Sequence, residues 1–359
     1  MPHPILYVAV TNHGFGHATR TASVVAELQR LCPDITVIFT TTAPRWLLDT
    51  YLSDSYIHRP RSFDVGVIQQ DSLIMDKPAT LEKLQHIRQH AAATIASEAT
   101  FLKQNRVSLV LADIPPLATA IAHAADVPCW MMSNFGWDYI YRDWGGEFVE
   151  IADWVGSLFQ QCDRLFRLPF HEPMSAFPNI TDVGLTGGNP KYSAAELRDR
   201  LNLTKPVEQT ILLTFGGLGI EKIPYERLTQ FPDWQFMTLD ANAPALPNLR
   251  CVDGKDYRPV DLMPVCGRVV SKPGYSTFAE ACRLEIPVCT VTRRDFPEAA
   301  VLLAALENYA YHQIIEPADL LQGDWAFLRS PVQPPKTDVR FERNGATAIA
   351  QAVIQYLLP

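Results

Sequence analysis

Apolar positions in the first half of the chain fall into two kinds of segment. Short β-branched runs, such as Ile5 to Val10, Ile35 to Thr40 and Ser108 to Ala112, have the length and composition of buried strands. Between them lie segments typical of helices: an amphipathic one after Gly16, and an alanine- and charge-rich one over residues 79–105. Strands that alternate with helices need crossover connections, so this half predicts a parallel sheet covered by helices.

The same alternation starts again in the second half. A polar, proline-bearing stretch over residues 186–208 precedes a new apolar strand, Thr210 to Phe215, and further strand–helix units follow. We therefore predict two similar α/β domains, residues 1–190 and 209–335. A last amphipathic helix within residues 340–359 could pack back on the first domain.

Composition narrows the function classes. The chain has 359 residues, of which 47% are hydrophobic and 19% charged, and a formal net charge of −8. This size supports two domains, and the negative charge gives no support to a nucleic-acid partner. Seven cysteines without a CxxC pair favour reduced thiols over a disulfide framework or a zinc site.

No segment has the features of a signal peptide or a transmembrane helix. The N-terminal sequence MPHPILYVAV lacks a charged leader region, and no apolar run approaches the about 20 residues that span a bilayer. We expect a cytoplasmic protein without a transmembrane segment. Peripheral contact with a membrane stays open.

The segment HGFGHATR, residues 13–20, follows the first strand directly. Its glycines permit a tight turn and leave the amides of the next helix N-terminus available to an anionic ligand. In a parallel sheet this turn lies at the carboxyl ends of the strands, where ligands bind. His17 is then a candidate general base. The alternative is that His13 and His17 only stabilise the turn.

Asp113 ends the strand SLVLA and precedes Ile114 and two prolines. Its position at the same sheet edge would let its carboxylate orient a histidine, as in other base–orienter pairs. The residue would serve equally well as a helix N-cap. We keep both interpretations open.

The segment SKPGYSTFAE, residues 271–280, reads as a strand, a glycine turn and a helix N-terminus that could hold a diphosphate. Ordinary helix capping is the alternative. Glu280, about two helical turns past the glycine, could accept hydrogen bonds from ribose hydroxyls. The residues assigned to the diphosphate are Lys272, Gly274, Tyr275, Ser276 and Thr277.

Two more loops of the second half are donor-site candidates. Gly216 and Gly217 follow its first strand and permit close approach of the backbone to phosphate. In the segment RRDFPE, residues 293–298, Arg293 could pair with phosphate, and Asp295 or Glu298 could bind sugar hydroxyls. A solvated charged loop is the alternative.

Together these motifs resemble those of the GT-B glycosyltransferases. Those families have a glycine–histidine turn after the first strand, here Gly16 and His17, and the small-molecule enzymes use that histidine as the base. An aspartate after a later strand partners it, and Asp113 matches that position. In their second half a glycine is followed six residues later by a ribose-binding glutamate, a spacing that Gly274 and Glu280 match. The resemblance implies an α/β GT-B fold, in which two Rossmann-like domains face each other across a cleft.

A second resemblance is to the glycosyltransferase-like half of plant-type L-arabinokinases. It rests on HGFGHATR, DVGVIQQDSL (residues 64–73), NFGWDYIY (residues 134–141) and SKPGYSTFAEA, and spans nearly the whole chain. We find no phosphate loop of the sugar-kinase class, so the resemblance does not imply kinase activity. It directs attention to acceptor-side loops, although the aromatic run around Trp137 could be simple packing. The acceptor-side residues are His13, Asp71, Ser72, Asn134, Trp137 and Asp138.

The resemblance therefore implies transfer of a sugar from a nucleotide donor, with a UDP-sugar expected, to an acceptor hydroxyl. His17 would be the base and Asp113 its orienter. The nucleotide sugar is a co-substrate, and neither a cofactor nor a metal is expected. Two alternatives stay open: a nucleotide-sugar 2-epimerase or hydrolase on the same fold, and a non-catalytic nucleotide-sugar-binding regulatory protein.

Overall fold

The structure is a computed structural model that describes residues 3–53, 55–70, 73–217, 219–220 and 223–358. It contains two parallel sheets, one from each half of the chain. In both sheets every strand pairing is parallel, as the alternation of strands and helices predicts.

The first sheet has seven strands in the order β3-β2-β1-β4-β5-β6-β7. They are β1 (Ile5–Val10), β2 (Thr36–Thr40), β3 (Tyr56–Arg59), β4 (Val107–Asp113), β5 (Cys129–Ser133), β6 (Arg164–Arg167) and β7 (Ile180–Asp182). The helices that accompany this sheet are α1 (Gly16–Leu31), α2 (Arg45–Asp49), α3 (Lys77–Gln104), α4 (Leu117–Ala124), α5 (Trp137–Trp144) and α6 (Phe148–Phe159).

The second sheet has six strands in the order β10-β9-β8-β11-β12-β13. They are β8 (Thr210–Thr214), β9 (Gln235–Thr238), β10 (Leu249–Cys251), β11 (Arg268–Ser271), β12 (Val288–Val291) and β13 (His312–Ile315). Its helices are α8 (Pro259–Leu262), α9 (Tyr275–Arg283), α10 (Pro297–Tyr309) and α11 (Pro317–Leu321).

Two further helices lie outside these units: α7 (Ala194–Arg200), in the connection between the sheets, and α12 (Gly345–Leu357) near the end of the chain. The last helix returns to the first half, where Oγ1 of Thr347 donates to Glu27 of α1 at 2.8 Å. Ile349 and Val353 are buried in the same apolar cluster as Val24 of α1. The chain therefore crosses between its halves twice.

Strand β1 shows why both faces of the first sheet are buried. Leu6 and Val8 pack into one apolar cluster, and Tyr7 and Ala9 into another on the opposite face, because successive side chains of a strand point to opposite sides. All four are at most 1% exposed. Such a run reads as continuously apolar, and each large side chain contributes about 1.5–3 kcal/mol on burial.

The strand order of each sheet places a crevice at its carboxyl edge. In the first sheet the order reverses at β1, which has β2 on one side and β4 on the other, and Val10 of β1 lies beside Asp113 of β4. In the second sheet β8 lies between β9 and β11, with Thr214 beside Ser271. Ligands of open α/β sheets bind at the carboxyl ends of strands next to such a reversal.

Most strands and helices agree with the sequence-based expectation. The helix predicted over 79–105 spans Lys77–Gln104, and the last helix spans Gly345–Leu357. All seven cysteines lie in the described part of the chain and are free thiols. Among the described helices, none combines the length and the apolar character needed to cross a bilayer.

Candidate active site

An open cleft lies between the two halves of the chain. Turns after β1 and β8 and the N-terminus of α9 surround it. Its lining comes from both sheets: His13, Gly14, Phe15, Gly16, His17, Arg20 and Gln69 from the first half, and Thr214, Gly216, Gly217, Lys272, Pro273, Gly274, Tyr275, Ser276, Thr277, Arg293, Phe296 and Glu298 from the second.

Two helix N-termini meet at this cleft. Neither α1 nor α9 has a side chain that caps its first turn, so backbone amides there remain available to a ligand. The two turns touch, since Oγ of Ser276 donates to the carbonyl oxygen of Gly16 at 2.8 Å. The positive ends of both helix dipoles favour an anion between them.

His17 lines the cleft, and its ring is held from behind. Its Nδ1 lies 2.9 Å from Oδ1 of Asp113, which is fully buried at the end of β4. Neighbouring β1 and β4 bring the two residues together, because the turn after β1 leads directly into α1. The sequence-predicted pair is thus in hydrogen-bond contact.

Arg20 lies against both members of this pair. Its Nη2 has three polar neighbours: Oδ1 of Asp113 at 2.6 Å, Nδ1 of His17 at 3.0 Å and Oγ of Ser133 at 3.1 Å. A carboxylate only accepts, so the hydrogen bond between His17 and Asp113 requires a hydrogen on Nδ1. In the neutral ring the lone pair is then on Nε2, to which no described residue hydrogen-bonds.

Asp113 is held as a buried carboxylate. Its oxygens also accept from Nε of Arg20 at 2.6 Å and from Oγ1 of Thr21 at 2.8 Å, which fills its four acceptor positions. Burial alone would raise the pKa of Asp113, but Arg20 and His17 outweigh it and hold that pKa well below its ordinary value. The carboxylate orients His17 and stays ionised.

The residue after Asp113 adopts a strained backbone conformation. Ile114 has a φ of 89°, which β-branched side chains rarely adopt, and it is fully buried. Strain of this kind persists where surrounding packing overrides it, and it clusters at functional sites. Here it turns the chain sharply at the end of β4, directly behind His17.

The second half supplies a basic wall. Lys272 lies in the turn before α9, where burial and the nearby Arg293 lower its pKa to about 7. No described residue hydrogen-bonds its ammonium. Gly216 has a φ of 79°, and a Cβ there would lie 3.0 Å from Cε of Lys272, so this turn requires glycine. The wall combines a lysine, an arginine and the amides of α9 in one place.

Aromatic rings close the cleft between the two halves. His13 stacks on Phe296 from the second half, with ring centroids 5.7 Å apart. Burial and the charges of His17, Arg293 and Lys272 lower the pKa of His13 well below its ordinary value, so His13 is neutral near pH 7. The neutral ring of His13 therefore adds no positive charge to this part of the cleft.

Glu280, assigned to ribose hydroxyls, is not part of the cleft lining. Its Oε1 accepts from the amide of Gly188 at 3.0 Å, in the connection between the two sheets, and the side chain is 4% exposed. Burial raises its pKa to about 7. Arg283 fastens the same connection by donating to the carbonyl oxygens of Gly187 and Gly188 at 2.8 and 2.9 Å.

Four other predicted residues also lie away from the lining. Asn134 is directly behind the lining and accepts a hydrogen bond from Arg20, whereas Trp137 is fully buried and donates to Thr11 at 3.2 Å.

The two predicted aspartates outside the lining lie elsewhere. Asp138 lies in the first turn of α5, where burial raises its pKa to about 6. Asp295 pairs with Lys77 at 2.8 Å on the surface. Asp71 and Ser72 lie outside the described residues.

The sequence interpretation gave no role to Arg20, the last residue of HGFGHATR. It lies three residues after His17 and therefore on the same face of α1, and this spacing was the signal that could have found it. Phe15, Thr214 and Phe296 also line the cleft without having been predicted. Among described residues, no cluster of three or more histidine, cysteine or acidic side chains could hold a metal ion.

Comparison with known proteins gives the fold and one sequence relative. No family model matches the chain. The chain is 30% identical to an L-arabinokinase of Arabidopsis thaliana over 331 residues, which is 90% of this chain and 31% of that protein. The chain thus spans about a third of the length of this curated relative.

Solved glycosyltransferase structures match nearly the whole chain. A UDP-glucosyltransferase from Polygonum tinctorium has a TM-score of 0.64 at 11% identity, covering 99% of this chain and 94% of that one. The calicheamicin glycosyltransferase CalG4 has a TM-score of 0.62 at 16% identity, with 99% of both chains covered. This chain therefore has the GT-B glycosyltransferase fold, with two Rossmann-like domains that face each other across a cleft.

Proposed function

We propose that this protein transfers a sugar from a nucleotide donor, with a UDP-sugar expected, to an acceptor hydroxyl. The observation that carries the proposal is the contact of His17 with Asp113 at the cleft. Nδ1 of His17 lies 2.9 Å from the carboxylate, which leaves Nε2 without a described hydrogen-bond partner in a cleft whose other wall is basic. The relative described as a UDP-glucosyltransferase supports this donor class.

In the proposed step the acceptor oxygen forms a bond to the anomeric carbon of the donor sugar. The bond from that carbon to the diphosphate oxygen breaks, and the nucleoside diphosphate leaves with the electron pair. The acceptor proton passes to Nε2 of His17, and the resulting imidazolium is stabilised by Asp113. Positioned general bases typically contribute about 10²–10⁴-fold to such rates.

Charge that develops on the leaving diphosphate would be stabilised by the second half. The amides of the first turn of α9, together with Lys272 and Arg293, surround the place where that charge appears. Donors fixed before the reaction need no rearrangement as the charge develops. This explains how a transferase could work without a metal ion.

A thermal-shift screen of nucleotide sugars tests the donor assignment, and product analysis with candidate acceptors tests transfer. The H17A variant should lose transfer by about 10²-fold or more while its donor affinity stays close to that of the wild type. His123, exposed on α4, offers a matched control, since H123A should keep full activity. Normal turnover in H17A would overturn the base assignment.

Two outcomes favour the alternatives. Consumption or epimerisation of a UDP-sugar without any acceptor would indicate a hydrolase or epimerase on this fold. Tight donor binding with no turnover, unchanged by substitution of His17 or Asp113, would indicate a nucleotide-sugar-binding regulatory protein.

A further inference from the structure

Asn134 joins the two domains directly behind the cleft. It follows β5, is 1% exposed, and uses both ends of its carboxamide. Its Oδ1 accepts from Nη1 of Arg20 at 2.7 Å, and its Nδ2 donates to Oε1 of Glu298, in the first turn of α10, at 2.8 Å. A guanidinium only donates and a carboxylate only accepts, so the amide cannot be turned the other way round.

The bonds of Asn134 extend a chain of hydrogen bonds that ends at His17. Glu298 bonds Asn134, Asn134 bonds Arg20, and Arg20 bonds Asp113, which holds His17. All five side chains are at most 8% exposed. Only Glu298 comes from the second domain, and it also lines the cleft. The carboxylate of Glu298, which lines the cleft, is therefore connected through buried hydrogen bonds to the ring of His17 in the other domain.

Arg20 connects this chain of bonds to the His17–Asp113 pair. Its Nε and Nη2 donate to the two carboxylate oxygens of Asp113, each at 2.6 Å, and Nη2 also lies 3.0 Å from Nδ1 of His17. A guanidinium is planar, so a rotation that breaks the Nη1 bond to Asn134 also moves Nε and Nη2. The carboxylate that orients His17 would then lose its alignment.

We propose that Asn134 and Glu298 are positioning residues that fix Arg20 and, through it, the His17–Asp113 pair. Because Glu298 belongs to the second domain, the orientation of the base depends on a residue from the other side of the cleft. This inference deepens the proposed function and rests on His17 being the base.

Nitrogen NMR of ¹⁵N-histidine-labelled protein tests the inference without any substrate. The ¹⁵N signals of an imidazole report on the hydrogen bonds of each ring nitrogen, and the H17Q variant assigns those of His17 by their disappearance. In N134L the bonds to Arg20 and Glu298 are lost, so Arg20 should shift against Asp113 and the His17 signals should move from their wild-type positions.

Two further variants separate positioning from simple destabilisation. E298A acts from the other domain and should also move the His17 signals, whereas E298Q keeps an oxygen that can accept from Asn134 and should move them much less. N248L is the matched control, because Asn248 donates to Leu228 and Phe231 within the second domain and lies outside this chain of bonds. It should leave the His17 signals unchanged.

Wild-type His17 signals in N134L and in E298A, each with an intact melting transition, would overturn the inference. If N134L does not fold, E298A alone decides, since Glu298 lies at the cleft rather than in the core of the first domain. A failure of the proposed function is distinguishable. In that case H17A would retain transfer activity, or no donor would bind, while the His17 signals still responded to substitution of Asn134 and Glu298.

Discussion

Nδ1 of His17 and Oδ1 of Asp113 lie 2.9 Å apart although 96 residues separate them in the chain. Both belong to elements next to the reversal of strand order in the first sheet, and Arg20 bonds the same carboxylate oxygen. The pair is therefore part of a buried ionic group rather than an isolated hydrogen bond. This has consequences for stability as well as for chemistry.

The variant D113N should be strongly destabilised. It removes the carboxylate that compensates the buried guanidinium of Arg20, and breaking a buried ion pair in this way costs about 3–5 kcal/mol. Denaturant unfolding measures this loss. The control is D182N, which breaks the more exposed pair with Arg167 and should cost less than about 1 kcal/mol. Equal losses in the two variants would contradict the buried ion-pair assignment.

Binding of a nucleoside diphosphate should weaken as the pH rises from 7 to 9. The pKa of Lys272 is about 7 in the free protein, so its ammonium is lost over this range, and binding of the anion requires proton uptake. Calorimetric titration with UDP at several pH values measures the effect. K272M should lower affinity at pH 6.5 by about tenfold to a hundredfold and abolish the dependence.

The matched control for that titration is K255M, because Lys255 is exposed and lies outside the cleft. It should bind UDP like the wild type with the same pH dependence. A dependence that survives in K272M would assign the titration to another group.

The variant G217A should weaken the contact between the two halves at the cleft. A Cβ on Gly217 would overlap the ring of Phe15 from the opposite domain, so that ring has to leave its position. We expect a lower melting temperature. At Gly254 the nearest atoms to an added Cβ are 3.8 Å away, so G254A is the control and should behave like the wild type.

The variant E280Q should make the protein more stable above pH 7. The pKa of Glu280 rises on folding from 4.5 to about 7, so the native state binds more protons than the unfolded state between these values, and wild-type stability falls as the pH rises through this window. Glutamine keeps an acceptor for Gly188 and removes the buried charge. Urea unfolding at pH 5 and pH 8 should show a smaller decrease in E280Q.

E226Q, at an exposed position, is the control and should retain the wild-type decrease. UDP affinity of E280Q gives separate information. A large loss of affinity would indicate that Glu280 turns to the ligand and that the amide of Gly188 gives way. An unchanged affinity would assign Glu280 to holding the connection between the domains.

The local pattern of apolar runs and glycines was sufficient to predict two parallel sheets covered by helices. Apolar runs such as Ile5 to Val10 predicted strands, and glycines before helices predicted the turns at Gly16 and Gly274, because both follow from short-range backbone and burial preferences. The alternation of strands and helices then allowed little besides parallel sheets. His17 and Asp113 could be named because each follows a strand at the sheet edge that binds ligands.

Only the tertiary structure decided which candidates share a site. Asn134 contacts Glu298, which is 164 residues away in the chain, and Glu280 faces Gly188 instead of the cleft. Neither contact could be predicted from the pattern of apolar and polar residues. The direction of these side chains depends on how the two domains pack against each other. The sequence by itself determined the elements and their edges. Long-range packing determined the partners, because a hydrogen bond requires a specific atom within about 3 Å.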